Sequence, residues 1–366
     1  MAERVATPSA LATMAAPSRR RLESLDAFRG LAVAGMVLVN NPGDWSQVYW
    51  PLDHAKWNGW TPTDLIFPFF LFIVGVSITF SRRTGVAAAA RRALVLLGIG
   101  LFMYAYPTFD FATSRWPGVL QRIGVVYFCA FLAKRLLGVR GRIVLTALLL
   151  VGYWLVMTRI PVPGVGPANL WPQTNLGAWL DRTLMGGHLW SGSNTWDPEG
   201  ILSTFPAVAT ALLGLFAGEW LRSARSGRQK ARGLYAAGAL LTAAGLLWGL
   251  RFPINKNLWT SSYVLFTGGA AALLLALVYE LVDLGGHRRW ARPLVVCGRN
   301  AITLFVASGL FARTLIYFGW QEPIYRYLFV SWLPPYIDSL GYAIANVLFW
   351  YAILWWMDRK RIYLTV

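Results

Sequence analysis

Long apolar blocks alternate with short polar segments along almost the whole chain. Each block approaches or reaches the roughly 20 residues that an α-helix needs to cross a hydrocarbon core of about 30 Å. None shows the regular change of face that is typical of a helix packed on a soluble core. The pattern predicts an all-α, polytopic membrane protein with about ten transmembrane helices, near residues 27–41, 64–81, 93–107, 117–134, 143–158, 200–220, 233–250, 260–282, 294–318 and 338–357.

Composition and charge agree with a membrane protein whose orientation is set by its loops. Of the 366 residues 56% are hydrophobic and 14% are charged, whereas about a quarter are charged in an ordinary soluble domain. The net charge of +18 comes mainly from alternate connections, and basic connections stay in the cytoplasm. We therefore predict cytoplasmic N- and C-termini and no nucleic-acid partner. The basic segments are the N-terminal region, "SRRTGVAAAARR", "AKRLLGVRGR", "LRSARSGRQKARG", "GGHRRWARP" and the C-terminal "DRKR".

Two regions of different character are expected. Residues 1–20 are mostly small or polar and lack the apolar core of a signal peptide, which predicts a disordered, uncleaved cytoplasmic tail. Residues 21–366 form the transmembrane domain. Its two cysteines, Cys129 and Cys297, lie in apolar segments. That placement favours packed thiols and argues against a disulfide framework or a metal site.

An ionisable cluster precedes the second predicted span, in "PLDHAKWNGWTPTDLIFPFF", residues 51–70. Thr61, Pro62 and Asp64 have the spacing of a helix N-terminus, in which the aspartate reaches back to the cap. Asp64 can therefore be explained as a structural residue. His54 lies seven residues before the cap, where helix, headgroups and water meet, and it is either an interfacial side chain or a catalytic one.

Further polar residues lie near the ends of predicted spans, where burying a charge is costly and function is the default explanation. Single residues have structural alternatives: an i,i+3 ion pair for Asp26 and Arg29, and a snorkelling side chain for Arg299. Taken together, they indicate a polar path across the membrane. The residues are Asp26, Arg29, Asn40, Asn41, Gln121, Arg122, Arg299 and Asn300.

Five motifs resemble one family of membrane enzymes. They occur in the order "RLESLDAFRGLAVAGMVLVNN", "HAKWNGWTPTDLIFPFFLFIVGVS", "GVLQRIGVVYF", "DPEGILSTFPAV" and "GRNAITLF". Together they are similar to the heparan-α-glucosaminide N-acetyltransferase family of transmembrane acetyltransferases. The resemblance runs from about residue 21 to the C-terminus and implies a bacterial-type core without the luminal domain of the lysosomal members.

The resemblance implies that acetyl-CoA enters from the cytosol and that an amino sugar is acetylated on the external face. It maps the active histidine onto His54, the asparagine that ends the first span onto Asn40, and a further catalytic residue onto Asp64. No metal is implied. The residues that fit a path for the cosubstrate are Asp26, Arg29, Gln121, Arg122, Arg299 and Asn300.

The chemistry of acetyl transfer suits these residues. A neutral histidine has an ordinary pKa of about 6.5 and can take a proton from the acceptor amine. Asn40 would donate a hydrogen bond to the developing oxyanion, and Asp64 would orient the imidazole. Arg29 and Arg299 would bind the CoA phosphates. Whether His54 carries the acetyl group or only removes a proton is left open by the sequence.

Two other functions remain compatible with the pattern. One is an O-acyltransferase that acts on a sugar hydroxyl, and the other is a secondary transporter or flippase. A transporter typically shows repeated halves and broken helices at mid-membrane, whereas these ionisable groups cluster at span ends. We expect a multi-pass protein of the bacterial inner membrane that contacts lipid, acetyl-CoA and the amino sugar. A homodimer is compatible with the resemblance.

Overall fold

The protein is all-helical in the computed structural model, which describes residues 22–81 and 85–364. The predicted tail at residues 1–20 lies outside the described residues. Within them there is no strand, only an isolated bridge between Val162 and Gly166, so the predicted all-α class is confirmed. The helices are α1 (Glu23–Val39), α2 (Ile66–Phe80), α3 (Val86–Ala105), α4 (Val119–Leu136), α5 (Val139–Arg159), α6 (Leu176–Met185), α7 (Ile201–Arg222), α8 (Gly227–Gly249), α9 (Ser261–Tyr279), α10 (Arg288–Arg299), α11 (Ala301–Tyr317), α12 (Gln321–Tyr325) and α13 (Ile337–Arg359).

Six helical segments of the described chain are long and apolar enough to cross a membrane, and α10 with α11 adds a seventh if the pair counts as one span. Three further predicted spans fall short for visible reasons. Helix α1 has only 17 residues, α4 carries three basic ones, and α8 begins with the polar, basic stretch "GRQKARG". The count of ten stays a prediction. The six segments are Pro62–Phe80, Val86–Ala105, Val139–Arg159, Ile201–Arg222, Ser261–Leu284 and Ile337–Arg359.

The span predicted over 294–318 is not one straight helix. It consists of α10 and α11, which meet at an angle of 70°. Asn300 lies between them with a non-helical backbone (φ −118°, ψ 38°). Gly298, at the end of α10, packs directly on α1, and a Cβ there would overlap the carbonyl oxygen of Asp26. The close approach to α1 and the non-helical residue together account for the bend. The connection between α5 and α7 contains the short helix α6.

The centre of the bundle is formed by α2, α7 and α9. The apolar stretches of these three helices are 67%, 56% and 61% buried. Those of α3 and α5 are each 28% buried, so these two helices lie at the outside of the bundle. Close packing of α2 on α7 depends on Gly75 and Gly214, where a Cβ would overlap the facing backbone. Asp64 precedes α2 and Ser77 lies in its last turn, so about 20 Å of helix separates the two polar regions described below.

Candidate active site

The segment before α2 folds as the sequence predicts. A short 3₁₀ turn, Pro62–Leu65, begins after Thr61 and continues directly into α2. The Thr61 backbone N–H donates to Oδ2 of Asp64 at 3.0 Å, and the Asp64 N–H donates to the Thr61 carbonyl at 3.0 Å. The predicted cap is confirmed. It fixes the carboxylate of Asp64 at the start of a central helix.

Asp64 also contacts the predicted active histidine. Its Oδ1 lies 2.7 Å from Nδ1 of His54, while Oδ2 accepts a further hydrogen bond from the Ala55 N–H at 3.1 Å. The carboxylate is fully buried and the imidazole is 41% exposed. A carboxylate only accepts, so Nδ1 carries the proton and Nε2 presents its lone pair. One oxygen of Asp64 therefore caps the helix and the other orients His54.

A lysine that the sequence analysis missed completes this cluster. Nζ of Lys256 lies 3.0 Å from Nδ1 and 3.1 Å from Nε2 of His54, and 3.6 Å from Oδ1 of Asp64. Burial lowers the pKa of Lys256, although Asp64 and Glu199 favour its charged form. Lys256 is 202 residues from His54 in the chain. The only signal in the sequence is the polar "NKN" in the connection between α8 and α9.

The loop that carries this lysine is fastened to the histidine segment. The Gly59 N–H donates to the Ile254 carbonyl at 2.8 Å, and Nδ2 of Asn255 donates to Oδ1 of Asn58 at 3.1 Å. Asn255 and the following Trp259 are fully buried. The two segments therefore form one unit, and the lysine is held in place by its neighbours in the chain.

A second charged cluster lies beside the first. Arg115 binds Asp197 through Nε at 2.8 Å and Nη2 at 2.5 Å, and it binds Glu199 at 2.5 Å. Burial disfavours the carboxylate of Glu199, but Arg115, Arg122 and Lys256 together hold its pKa below the usual range. The two clusters are thus coupled electrostatically through Glu199.

Gln121 and Arg122 belong to this second cluster. Nη2 of Arg122 donates to Oγ of Ser203 at 2.5 Å, and its guanidinium lies 5.0 Å from the centre of the Trp259 ring. Nε2 of Gln121 donates to the Trp116 carbonyl at 3.1 Å. The guanidinium of Arg122 therefore lies at the start of α7, where it also donates to the Gly200 carbonyl at 3.1 Å. The predicted place of both residues on the cosubstrate path stays a prediction.

Asp181 on α6 is a third buried carboxylate in this region. It is 3% exposed, and its oxygens accept from the Ile201 N–H at 3.0 Å and from the Asp197 N–H at 3.4 Å. Burial, together with the charge of Asp197, raises its pKa to about 6. Asp181 therefore caps the N-terminus of α7 at an electrostatic cost.

The predicted phosphate-binding residues come together at the opposite end of α2. Nη1 of Arg29 lies 3.2 Å from Oδ1 of Asp26 and 3.4 Å from the Gly298 carbonyl. Its Nη2 donates to Oγ of Ser77 at 2.8 Å. The i,i+3 ion pair offered as the structural alternative is therefore present. We call this group, with Arg299 and its partners, the Arg29 end, and His54, Asp64 and Lys256 the His54 end.

Arg299 and Asn300 bind the C-terminal segment. Nη1 of Arg299 donates to Oδ1 of Asp358 at 2.9 Å. Nδ2 of Asn300 donates to the Ile362 carbonyl at 3.1 Å, and its Oδ1 accepts from the Leu364 N–H at 3.0 Å. Asn300 is 1% exposed, so its amide has a structural role. CoA binding by either residue stays a prediction.

Asn40 is exposed at the end of α1. Within residues 22–81 and 85–364, its side chain makes no hydrogen bond to the three residues of the His54 end. The neighbouring Asn41 donates from Nδ2 to the Val37 carbonyl at 2.7 Å. The oxyanion role of Asn40 therefore rests on the resemblance alone. The same part of the chain contains no group of three or more potential metal ligands.

Comparison with known proteins identifies the family. A family model described as "Heparan-alpha-glucosaminide N-acetyltransferase, catalytic" matches residues 21–247. The chain belongs to this family. The human heparan-alpha-glucosaminide N-acetyltransferase is 30% identical over 409 aligned residues, which cover 94% of this chain and 59% of that protein. The mouse protein of the same name is 32% identical over 356 residues, which cover 79% of this chain and 53% of that protein.

Two limits of the match bear on the site. The chain spans little more than half the length of these curated relatives. The family model includes His54, Asp64 and Asn40, but it stops before Lys256 and Arg299. The geometry of those two residues therefore comes from the structure and not from the family match.

Proposed function

We propose that this protein transfers the acetyl group of cytoplasmic acetyl-CoA to the amine of an amino sugar on the external face of a membrane. The observation that carries the proposal is the buried Asp64 carboxylate, 2.7 Å from Nδ1 of His54, in a chain of a family named for N-acetyl transfer. The contact orients the imidazole so that Nε2 faces the reactants. A carboxylate that holds a histidine in one tautomer is a recurring device of acyl transfer.

Nε2 of His54 serves either of two routes. In direct transfer, the amine nitrogen bonds to the thioester carbon, its proton passes to Nε2, and the C–S bond breaks with the electron pair on sulfur. The thiolate then takes that proton, which leaves an amide and free CoA. In two-step transfer, Nε2 itself bonds to the carbon and expels the thiolate. The amine then displaces the imidazole, and its proton goes to the thiolate.

The proposed path runs along α2. Acetyl-CoA would bind with its phosphates at the Arg29 end, where Arg29 and Arg299 are 25% and 30% exposed. Its acetyl arm would reach the His54 end, about 20 Å away. The basic connections are the reason to place the Arg29 end in the cytoplasm and the acceptor outside. Ten spans, both termini inside and a bacterial inner membrane belong to this proposal.

Labelled acetyl-CoA tests the function directly. We would reconstitute the full chain in vesicles, add [¹⁴C]acetyl-CoA on one side, and follow label on glucosamine, galactosamine and their neutral N-acetyl forms. Transfer to the free amines supports the proposal, and mass spectrometry of the product separates amide from ester. Transfer to N-acetylated sugars alone would indicate an O-acyltransferase. Sugar uptake without acetylation would indicate a transporter and contradict the proposal.

Hydroxylamine-labile label on the protein distinguishes the two routes. After mixing with [¹⁴C]acetyl-CoA alone, the protein is quenched and treated with hydroxylamine, which removes an acetyl group from imidazole. Label that requires His54 and is lost in hydroxylamine indicates two-step transfer. An unlabelled protein that still transfers acetyl groups when the amine is present indicates direct transfer.

A further inference from the structure

Lys256 places an ammonium directly beside the imidazole of His54. The carboxylate of Asp64 requires a proton on Nδ1, and an ammonium can only donate. Nζ of Lys256 therefore cannot accept the Nδ1 proton. It lies 3.0 Å from Nδ1 and 3.1 Å from Nε2, and this near equality places it against the imidazole rather than on the axis of the Nε2 lone pair. The ammonium is beside the lone pair proposed to react and does not occupy it.

Lys256 is poorly placed to be merely a counter-ion for Asp64. Its Nζ is closer to both ring nitrogens than to the carboxylate, which it approaches only to 3.6 Å. The oxygens of Asp64 already accept from His54, Ala55 and the Thr61 N–H. The ammonium thus lies beside Nε2, where it can contact a substrate that approaches this nitrogen.

We propose that Lys256 is a catalytic residue that binds the thioester carbonyl oxygen of the acetyl donor during transfer. This inference rests on the proposed function. When the thioester carbon or the amine proton approaches Nε2, the neighbouring carbonyl oxygen comes within reach of the ammonium. It then donates a hydrogen bond to that oxygen as negative charge develops on it. Lys256 keeps its protons throughout, and the amine proton follows the path through His54 to the sulfur.

The loop geometry suits this role because an oxyanion donor works best when it is fixed before reaction. The two neighbours of Lys256 that matter, Asn255 and Trp259, are fully buried, and the Trp259 N–H donates to the Lys256 carbonyl at 3.0 Å. The lysine side chain is 16% exposed. Its flexible stem therefore allows a small shift of the ammonium toward the oxygen while the backbone stays in place.

Substitution of the lysine tests the proposal in the full-length protein. Lys256→Met keeps the length of the side chain and removes the charge, and Lys56→Met is the matched control because Lys56 is exposed two residues from His54. We expect Lys256→Met to lower kcat about 10²–10³-fold, with the Kd of acetyl-CoA within about threefold of the wild type. An unchanged kcat would overturn the proposal, as would a loss of acetyl-CoA affinity that accounts for the whole effect.

The pH dependence gives a readout that a structural role would not move. Lys256 faces His54, Asp64 and Glu199, and burial lowers its pKa below that of an exposed lysine. Only the ammonium donates, so the wild-type rate should fall as pH rises through this lowered pKa. Arginine stays protonated, so Lys256→Arg should move the alkaline fall to higher pH, whatever its absolute rate. The same alkaline limb in both proteins would contradict the role.

A spectroscopic measurement separates failure of this inference from failure of the proposed function. The chain has three histidines, so ¹⁵N-imidazole spectra are assignable with His54→Ala. We expect a protonated Nδ1 in the wild type and in Lys256→Met, with a shift of the Nε2 signal in the variant alone. Absence of that shift would contradict the contact between Lys256 and His54. A wild type that acetylates no amino sugar would instead refute the proposed function.

Discussion

The two ends of α2 use charge in different ways. At the His54 end, a fully buried carboxylate holds an imidazole, and a lysine lies 3.1 Å from the ring nitrogen that is proposed to react. At the Arg29 end, each arginine is already paired with a carboxylate, Arg29 with Asp26 and Arg299 with Asp358. The His54 end presents an arrangement complete enough for chemistry. The Arg29 end presents cations whose present partners are acidic side chains.

This difference shows which part of the proposal depends on rearrangement. A phosphate that binds Arg29 or Arg299 must either share the guanidinium with its present carboxylate partner or displace that carboxylate. The two guanidiniums are 25% and 30% exposed, so a phosphate can reach them from solvent. The proposed chemistry at the His54 end needs only a small shift of the Lys256 side chain toward the substrate. Substitutions at the two ends should therefore separate transfer from binding.

The largest expected effect comes from His54→Ala, which removes the reacting nitrogen and leaves the Arg29 end intact. We expect the rate of transfer to fall by about 10²–10⁴-fold or more, while acetyl-CoA binds normally. His287→Ala is the matched control, because His287 is exposed at the start of α10. Single-turnover rates and radioligand binding measure the two quantities. A folded His54→Ala protein with near-normal transfer would move the chemistry elsewhere.

Asp64→Asn should produce the next largest effect, because the amide no longer requires a proton on Nδ1 of His54. We expect a fall in kcat of about 10²-fold or more and, since one carboxylate oxygen caps the helix, a loss of stability of about 0.5–2 kcal/mol. Thr61→Val is the control. It removes the hydroxyl that contacts Asp64 at 3.2 Å but keeps the capping N–H. Equal losses of kcat in both variants would indicate that Asp64 affects the rate through its contacts with Thr61 and not through its contact with His54.

Substitutions at the Arg29 end should weaken binding and spare chemistry. The pair Asp26→Asn with Arg29→Gln keeps this buried site neutral, and a charged contact to phosphate is worth about 1.5–3 kcal/mol. We expect the Kd of acetyl-CoA to rise about 10–100-fold, with little change in kcat at saturation. Arg251→Gln, on an exposed residue of the Lys256 loop, is the control. An unchanged Kd would leave the arginines with structural roles only.

The sequence anticipated the parts of the molecule that depend on local pattern. Apolar blocks predicted the helices, and the spacing of Thr61, Pro62 and Asp64 predicted the cap that the structure contains. The resemblance pointed to His54. The contact between His54 and Asp64 follows from that cap, because a ten-residue separation can close within one folded segment.

Long-range contacts could not be read from these patterns. Lys256 reaches His54 across 202 residues through a loop whose position depends on hydrogen bonds to Asn58 and Gly59. A single loop lysine has no periodicity or motif to distinguish it. The bend at Asn300 was missed for a similar reason, since it depends on the packing of Gly298 against α1 rather than on a helix-breaking residue.

The smallest expected effect concerns stability near the His54 end. Burial raises the pKa of Asp181 to about 6, whereas an ordinary aspartate titrates at 3.8. For a carboxyl whose pKa is raised by folding, the stabilising contribution is fully present below the ordinary pKa and is lost as pH rises through about 6. Asp181→Asn removes the buried charge and keeps an oxygen to accept the Ile201 N–H. We therefore expect the Tm of the variant to exceed that of the wild type at pH 7.5 by about 2 °C or more.

That difference in Tm should shrink as pH falls from 7.5 to 5, because the wild-type carboxyl becomes protonated over this interval. Asp110→Asn supplies a control of opposite sign, since a hydrogen bond from Thr113 lowers the pKa of the exposed Asp110. Its carboxylate favours the folded state at neutral pH, so the variant should not gain stability there. Thermal unfolding of the three proteins at several pH values measures the difference. A Tm difference for Asp181→Asn that stays constant between pH 5 and 7.5 would show that this carboxyl does not titrate in that interval. The N–H groups of Ile201 and Asp197 would then be sufficient to stabilise the buried carboxylate.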